Sequence, residues 1–165
     1  MNIIKQNLLG ILGLILLCIG VAVGVSITQN ILNLVGIILL IIYAKHGENE
    51  FFFYLELVVL LGTILKIADV NNTTLVVSLV LATILALIKV LQNRQYRRFD
   101  TAIGVIGLLG LVYGYSTLNS YGYAVGGIAL AIFSIVGYYK GIKSALVFTI
   151  LNLFFASIAI YTIIK

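Results

Sequence analysis

The segment Thr73–Leu91, with the sequence TTLVVSLVLATILALIKVL, decides the fold class of this protein. Its only charged residue is Lys89, near the end of the segment. The hydrocarbon core of a bilayer is about 30 Å thick, and a helix needs roughly 17 to 25 apolar residues to cross it. The segment therefore predicts a transmembrane helix.

Segments of the same kind lie on both sides of it. Division of the chain at its polar clusters predicts seven: Leu8–Ile27, Ile31–Ala44, Phe51–Ala68, Thr73–Leu91, Thr101–Leu118, Tyr121–Tyr139 and Ser144–Ile163. We therefore expect an all-α, polytopic bundle of seven transmembrane helices in a single domain, residues 1–165. The first segment is longer than the apolar part of a typical signal peptide, so we interpret it as a membrane helix, with a cleaved secretory signal as the alternative.

The composition agrees with a chain surrounded by lipid. Hydrophobic residues make up 62% of the sequence and charged residues only 9%, whereas soluble domains average about 45–50% and about 25%. A soluble fold of this size has too small an interior for that much apolar surface. The net charge of +5 is spread over helix ends, which does not indicate a nucleic-acid partner. The single cysteine, Cys18, excludes a disulfide within the chain.

The basic residues predict the orientation of the helices, because cytoplasmic loops collect lysine and arginine. With a cytoplasmic N-terminus and seven crossings, only Lys66 and Lys165 lie outside. The basic residues on the cytoplasmic side are then Lys5, Lys45, Lys89, Arg94, Arg97, Arg98, Lys140 and Lys143. We expect a multi-pass protein of a plasma or inner membrane, with its C-terminus outside.

Glycines indicate an internal repeat. When residue 10 is aligned with residue 104, three glycines of the first segment match three of the fifth: Gly10, Gly13 and Gly20 with Gly104, Gly107 and Gly114. Further along, Gly36 matches Gly127. The repeat would join residues 8–69 and 101–163 through a linker helix, 73–91, and both helix triplets would enter the membrane in the same direction. The alternative is a chance match between apolar sequences of low complexity.

This order of three helices, a linker and three helices resembles the topology of SWEET-type sugar transporters and of nicotinamide riboside transporters. The resemblance covers the helix order alone. The chain has no proline, so it lacks the proline–glutamine pairs of the SWEET group, and it has no tryptophan. We therefore assign it to neither family.

Glu56 lies inside the third segment, between apolar residues 51–55 and 57–61. A charge at such a position costs several kcal/mol unless it is paired, hydrated or protonated. We predict a carboxylate that binds a proton or a cation in an internal cavity. The alternative is a hydrated side chain near the inner interface, since Glu56 is only about 9 Å along a helix from Glu50.

Asn152 lies near the middle of the last segment. Under the repeat, the third and seventh helices correspond, and Asn152 then falls at a depth similar to that of Glu56. We predict that the two residues share a central site that binds a substrate or an ion. The alternative for Asn152 is a hydrogen bond that holds helices together, worth roughly 0.6 kcal/mol.

Lys66 and Asp69 are three residues apart at the outer end of the third segment. A helix would place both side chains on one face. We predict an ion pair at the membrane interface, where such charges cost little. The functional alternative is that these two residues form an outer gate.

No residues indicate catalysis or a cofactor. The chain shows no nucleophile–base pair, so we do not expect an enzyme. The one histidine, His46, lies in a polar loop beside Glu48 and Glu50, and a solvated loop explains this cluster better than a metal site.

Two functional hypotheses from different classes follow. The first is a small transporter or channel-like protein with a central polar site for a small molecule or an ion. The second is a non-transporting protein, such as an accessory subunit of a membrane complex or a membrane immunity protein. Glycine pairs four residues apart, such as Gly122 and Gly126, suit packing within the chain and homo-oligomer formation alike.

Overall fold

The computed structural model describes residues 3–23, 27–117 and 119–165. Within these ranges it contains seven α-helices and no strand, which confirms the all-helical prediction. The helices are α1 (Ile3–Val23), α2 (Ile27–His46), α3 (Glu50–Ile67), α4 (Asn72–Gln92), α5 (Phe99–Thr117), α6 (Ser120–Tyr139) and α7 (Ala145–Ile164), with a short 3₁₀ helix at Arg94–Tyr96. Leu118, the side chain of Lys5 and the connector residue Ser26 lie outside the described part of the chain.

Four of these helices, α2, α4, α6 and α7, are long and apolar enough to cross a membrane. Among the described residues, α1 and α5 contain shorter apolar stretches, Asn7–Gly20 and Phe99–Tyr115. α3 has 18 residues, but three of them, Glu50, Glu56 and Lys66, carry charge. The protein is thus an apolar helical bundle with four candidate spans, which suits a membrane environment.

Asparagine begins several of the helices. The side-chain oxygen of each of these residues accepts a hydrogen bond from a backbone N–H in the first turn, which would otherwise lack a partner. The residues are Asn49 before α3, Asn71 before α4 and Asn119 before α6. These caps set the helix starts in a chain without proline.

Glycine lets neighbouring helices approach closely. A Cβ added to Gly110 would lie 2.9 Å from the Cα of Gly126, so the α5 and α6 backbones touch there. A Cβ added to Gly36 would lie 3.0 Å from the carbonyl oxygen of Gly13, between α2 and α1. In lipid, helices gain no stability by removing apolar side chains from water. Close packing of this kind stabilises their association instead.

Three connections meet at one end of the bundle, at residues 46–50, 92–100 and 140–144. Ser144 Oγ donates to the Gly47 carbonyl at 3.3 Å, and Asn93 Nδ2 donates to Glu50 Oε2 at 2.9 Å. Lys140 Nζ pairs with Asp100 at 2.5 Å. We call this the basic end, because seven lysines and arginines lie there: Lys45, Lys89, Arg94, Arg97, Arg98, Lys140 and Lys143.

An aromatic cluster fills the core next to the basic end. Phe51 and Phe52, in the first turn of α3, pack against Phe133 of α6, with ring centroids 4.3 and 6.1 Å away. Tyr43 of α2 and Phe148 of α7 complete the cluster at 5.9 Å from each other. All five are almost fully buried, so the start of α3 is held between α2, α6 and α7.

Candidate functional site

The side chain of Glu56 is buried in the bundle, six residues after the start of α3. Only 3% of the residue is exposed, and its carboxyl forms no hydrogen bond or ion pair with any residue that the structure describes. A buried polar group without a partner costs free energy, and a buried charge costs more. The free-energy cost of burying this carboxyl is reduced if a proton, a cation or a water molecule binds to it.

Asn152 is equally buried, at 4% exposure, on the face of α7 that meets α6. Its Nδ2 donates to the carbonyl oxygen of Phe148 at 2.7 Å, one turn earlier in the same helix. This bond lies within α7. The amide nitrogen therefore does not support the alternative prediction, in which Asn152 forms a hydrogen bond between helices.

A stacked ring pair links the helices that carry Glu56 and Asn152. Phe52 of α3 and Phe148 of α7 lie face to face, with centroids 4.2 Å apart and planes at 10°. Each phenylalanine precedes the polar residue of its helix by four positions, which is one helical turn. Both helices begin at the basic end, so Glu56 and Asn152 lie at the same depth, one turn beyond the stack.

The rings around this stack occur in two matching pairs. Tyr43 of α2 lies 5.9 Å from Phe148, with the ring planes at 38°. Phe133 of α6 lies 6.1 Å from Phe52, also at 38°. The second pair repeats the first if α2 corresponds to α6 and α7 corresponds to α3. The Phe52–Phe148 stack then joins two equivalent residues.

The glycine contacts show the same correspondence. In each half of the chain, one glycine of the first helix approaches an aromatic ring on the second helix, and the next approaches a leucine. The contacts are Gly10 with Tyr43 and Gly13 with Leu40 in the first half, and Gly104 with Phe133 and Gly107 with Leu130 in the second. If Leu40 corresponds to Leu130 in these contacts, Gly36 corresponds to Gly126, one residue before the predicted Gly127.

Lys66 has a partner other than Asp69. Its Nζ lies 3.7 Å from the centroid of the Tyr115 ring on α5, and the Tyr115 hydroxyl is 3.3 Å from Thr63 Oγ1. Asp69 lies beyond the end of α3 with a positive φ of 53°, so the helical spacing that would bring it to Lys66 no longer applies. In the described part of the chain the ion pairs involve Asp100 instead, with Arg98 and Lys140. An outer gate at Lys66 remains a hypothesis.

Two grooves open on the surface near the basic end. One, of about 660 Å³, lies between the end of α4 and the start of α5, and the other, of about 670 Å³, lies beside α2 and Phe53. Neither is lined by Glu56 or Asn152. His46 borders the second groove, and its Nδ1 is 2.8 Å from the Ile42 carbonyl. The described residues contain no group of three metal-binding side chains.

The aromatic stack was missed by sequence reasoning. The run Phe51–Phe53 marks one side of it, but Phe148 stands alone in an apolar segment. The two rings are far apart in the sequence and meet only in the folded bundle.

Comparison with known proteins gave no match to a protein-family model, to a curated protein or to a solved structure. The residues of the bundle are therefore the only basis for a functional conclusion.

Proposed function

We propose that this protein is a small membrane transporter or channel-like protein whose central site contains Glu56 and Asn152. One observation carries the proposal. A buried carboxyl without a protein partner lies level with a buried asparagine, one helical turn beyond a stacked ring pair. Ionisable residues inside membrane bundles usually belong to ion or proton pathways, because their burial is otherwise unfavourable.

The proposal includes a parallel repeat of α1–α3 and α5–α7 with α4 as the linker. The matching ring pairs and glycine contacts support it, because all of them follow one set of equivalences. Under these equivalences Glu56 corresponds to Asn152, as Phe52 does to Phe148. Sites between the repeats of a transporter usually lie on the axis that relates them.

We also propose that all seven helices cross the membrane and that the basic end is cytoplasmic. The concentration of seven basic residues at that end supports this orientation. In a Cys18→Ala background, Asn72→Cys should react with a membrane-impermeant maleimide from outside, and Gln95→Cys only after the membrane is opened. Reaction of both cysteines from the same side would contradict the topology.

The transport proposal is tested by ion flux into liposomes that contain the purified protein. Since the carboxyl needs a proton or a cation, the probes are protons, followed with a pH-sensitive dye, and Na⁺ and K⁺. We expect faster flux of at least one ion than in protein-free liposomes, and a loss of roughly tenfold or more in Glu56→Gln, because that change removes the ionisable group but keeps its shape.

The matched control is Glu48→Gln, which removes an exposed acid from the loop before α3 and should leave the flux unchanged. Equal flux in the wild type and in Glu56→Gln would overturn the role of this carboxyl. If the wild type does not exceed empty liposomes for any of the three ions, the transporter proposal fails. The non-transporting hypothesis would then be favoured, and a stable partner on purification in mild detergent would support it.

A further inference from the structure

The 660 Å³ groove at the basic end combines an apolar floor with a cationic rim. Leu91, from the last turn of α4, and Ala102 and Val105, from the first turns of α5, line the floor. Arg97 and Arg98 line the rim. We propose that this groove binds an anionic phospholipid, with its phosphate at the arginines and an acyl chain between α4 and α5.

The two arginines have donor groups available for a phosphate. Arg97 Nε donates to the carbonyl oxygen of Leu91 at 2.7 Å, which fixes the guanidinium against the end of α4. Its terminal nitrogens form no hydrogen bond with the part of the chain that the structure describes. A guanidinium held in this way presents paired N–H donors that match a phosphate.

Arg98 faces one competing charge. Its Nε lies 3.6 Å from Asp100 Oδ1, and half of its side chain is exposed. The other Asp100 oxygen pairs with Lys140 at 2.5 Å, so two cations surround this one carboxylate. The positive charge of the rim therefore exceeds the negative charge, which favours an anionic head group over a zwitterionic one.

The surroundings place the groove at the boundary between head groups and acyl chains. Phe99, next to the arginines, is 90% exposed, and Ile88 and Leu91 of α4 are 50% and 41% exposed. Side chains of this kind are stable in lipid and not in water. Basic pockets between transmembrane helices are known to bind anionic head groups.

The second groove provides an internal comparison. It is about the same size, 670 Å³, and lies at the same end of the bundle. Its lining contains Lys45 and His46 but no arginine, and the His46 ring is hydrogen-bonded to Ile42. A single flexible ammonium binds a phosphate less specifically than two guanidinium groups do, so we expect selective binding in the arginine groove alone.

The experiment measures lipid retention by native mass spectrometry of the full chain in detergent. The protein is incubated with equal amounts of phosphatidylglycerol and phosphatidylcholine that carry the same acyl chains. We expect one tightly retained phosphatidylglycerol. The double variant Arg97→Gln/Arg98→Gln should reduce its preference over phosphatidylcholine by roughly tenfold or more, and Ala102→Phe, which fills the apolar floor, should reduce retention with both arginines present.

The control variant Arg94→Gln/Lys143→Gln removes the same charge from the basic end without altering the groove lining, so it should retain the lipid. Lys45→Gln should retain it as well. Equal retention of the two lipids by the wild type would overturn the proposal, and so would an equal loss in the control variant. Displacement of the lipid by millimolar inorganic phosphate would show a site for small anions instead.

Discussion

The two halves of the bundle, α1–α3 and α5–α7, pack their first two helices alike but hold their third helix differently. In both halves glycines bring the first helix against a leucine and an aromatic ring of the second. The third helix of the second half, α7, is also joined to α6 by a hydrogen bond from Thr149 Oγ1 to Ser134 Oγ at 2.9 Å. Under the proposed repeat, the matching positions in the first half are Phe53 and Ala44, which cannot form such a bond.

The same contrast holds next to the central polar residues. A Cβ added to Gly127 of α6 would lie 2.8 Å from the Asn152 carbonyl, so α6 and α7 touch at that level. Under the proposed repeat, the matching residue of α2 is Ile37, which has a large side chain, and α2 and α3 contact each other less extensively than α6 and α7 do. Glu56 thus lies on the less closely held of the two helices, and Asn152 on the more closely held one. The two halves thus share their glycine contacts, while the buried acid and the hydrogen bond between Thr149 and Ser134 each occur in one half only.

The largest expected effect comes from breaking the scaffold at Gly126. In Gly126→Ala the new Cβ would lie 2.6 Å from the backbone nitrogen of Leu111, which cannot move independently of α5. We expect a loss of about 1–3 kcal/mol, measured by thermal unfolding in detergent and followed by circular dichroism. Gly137→Ala, whose Cβ would be 3.5 Å from that of Ala145, is the control in the same helix and should unfold like the wild type. Equal midpoints for the two variants would show that the α5–α6 contact is not tight.

A smaller, opposite effect is expected when Glu56 is replaced by asparagine, its counterpart under the proposed repeat. In Glu56→Asn the amide can donate to the carbonyl of Phe52, as Asn152 donates to Phe148. The change also removes a buried carboxyl without a partner, so we expect the free energy of unfolding to rise by about 1 kcal/mol or more. Thermal unfolding measures this. A lower midpoint than that of the wild type would mean that the two positions are not equivalent.

The smallest effect tests the bond that is specific to the second half. Ser134→Ala removes the hydrogen bond from Thr149, and bonds between membrane helices contribute roughly 0.6 kcal/mol on average. The control is Ser157→Ala, because among the described residues Ser157 Oγ bonds only to the carbonyl of Leu153 in its own helix, at 2.8 Å. If the two alanine variants unfold at the same temperature, the Ser134–Thr149 bond does not account for the closer hold on α7.

Hydropathy and polar connectors predicted the helices well because each helix must be apolar over most of its length. The predicted first residues of the helices agree less well with the structure. α2 begins at Ile27 instead of Ile31, since Thr28 and Asn30 are polar but do not interrupt a helix. α5 begins at Phe99, two residues before the predicted start, because Phe99 and Asp100 form part of its first turn.

The details of the site were harder to predict, because they depend on which helix faces meet. Local spacing suggested Asp69 as the partner of Lys66, but the chain leaves the helix after Ile67, and the lysine reaches Tyr115 of another helix instead. The repeat alignment paired Gly36 with Gly127, because neighbouring apolar residues score alike in either register. Backbone contact distinguishes the registers, since only Gly126 approaches the Gly107 carbonyl as Gly36 approaches that of Gly13.

Under the proposed repeat, the stack of Phe52 on Phe148 joins two equivalent residues next to the axis that relates the two halves. Residues next to a two-fold axis lie beside their own copies, so in a dimer of identical half-size chains a glutamate one turn beyond the stack would have a second glutamate as its neighbour. Two like charges at such a position repel each other. Under the proposed repeat, the joining of both halves in one polypeptide lets one position hold an acid and the other a neutral amide, a combination that two identical half-size chains cannot provide.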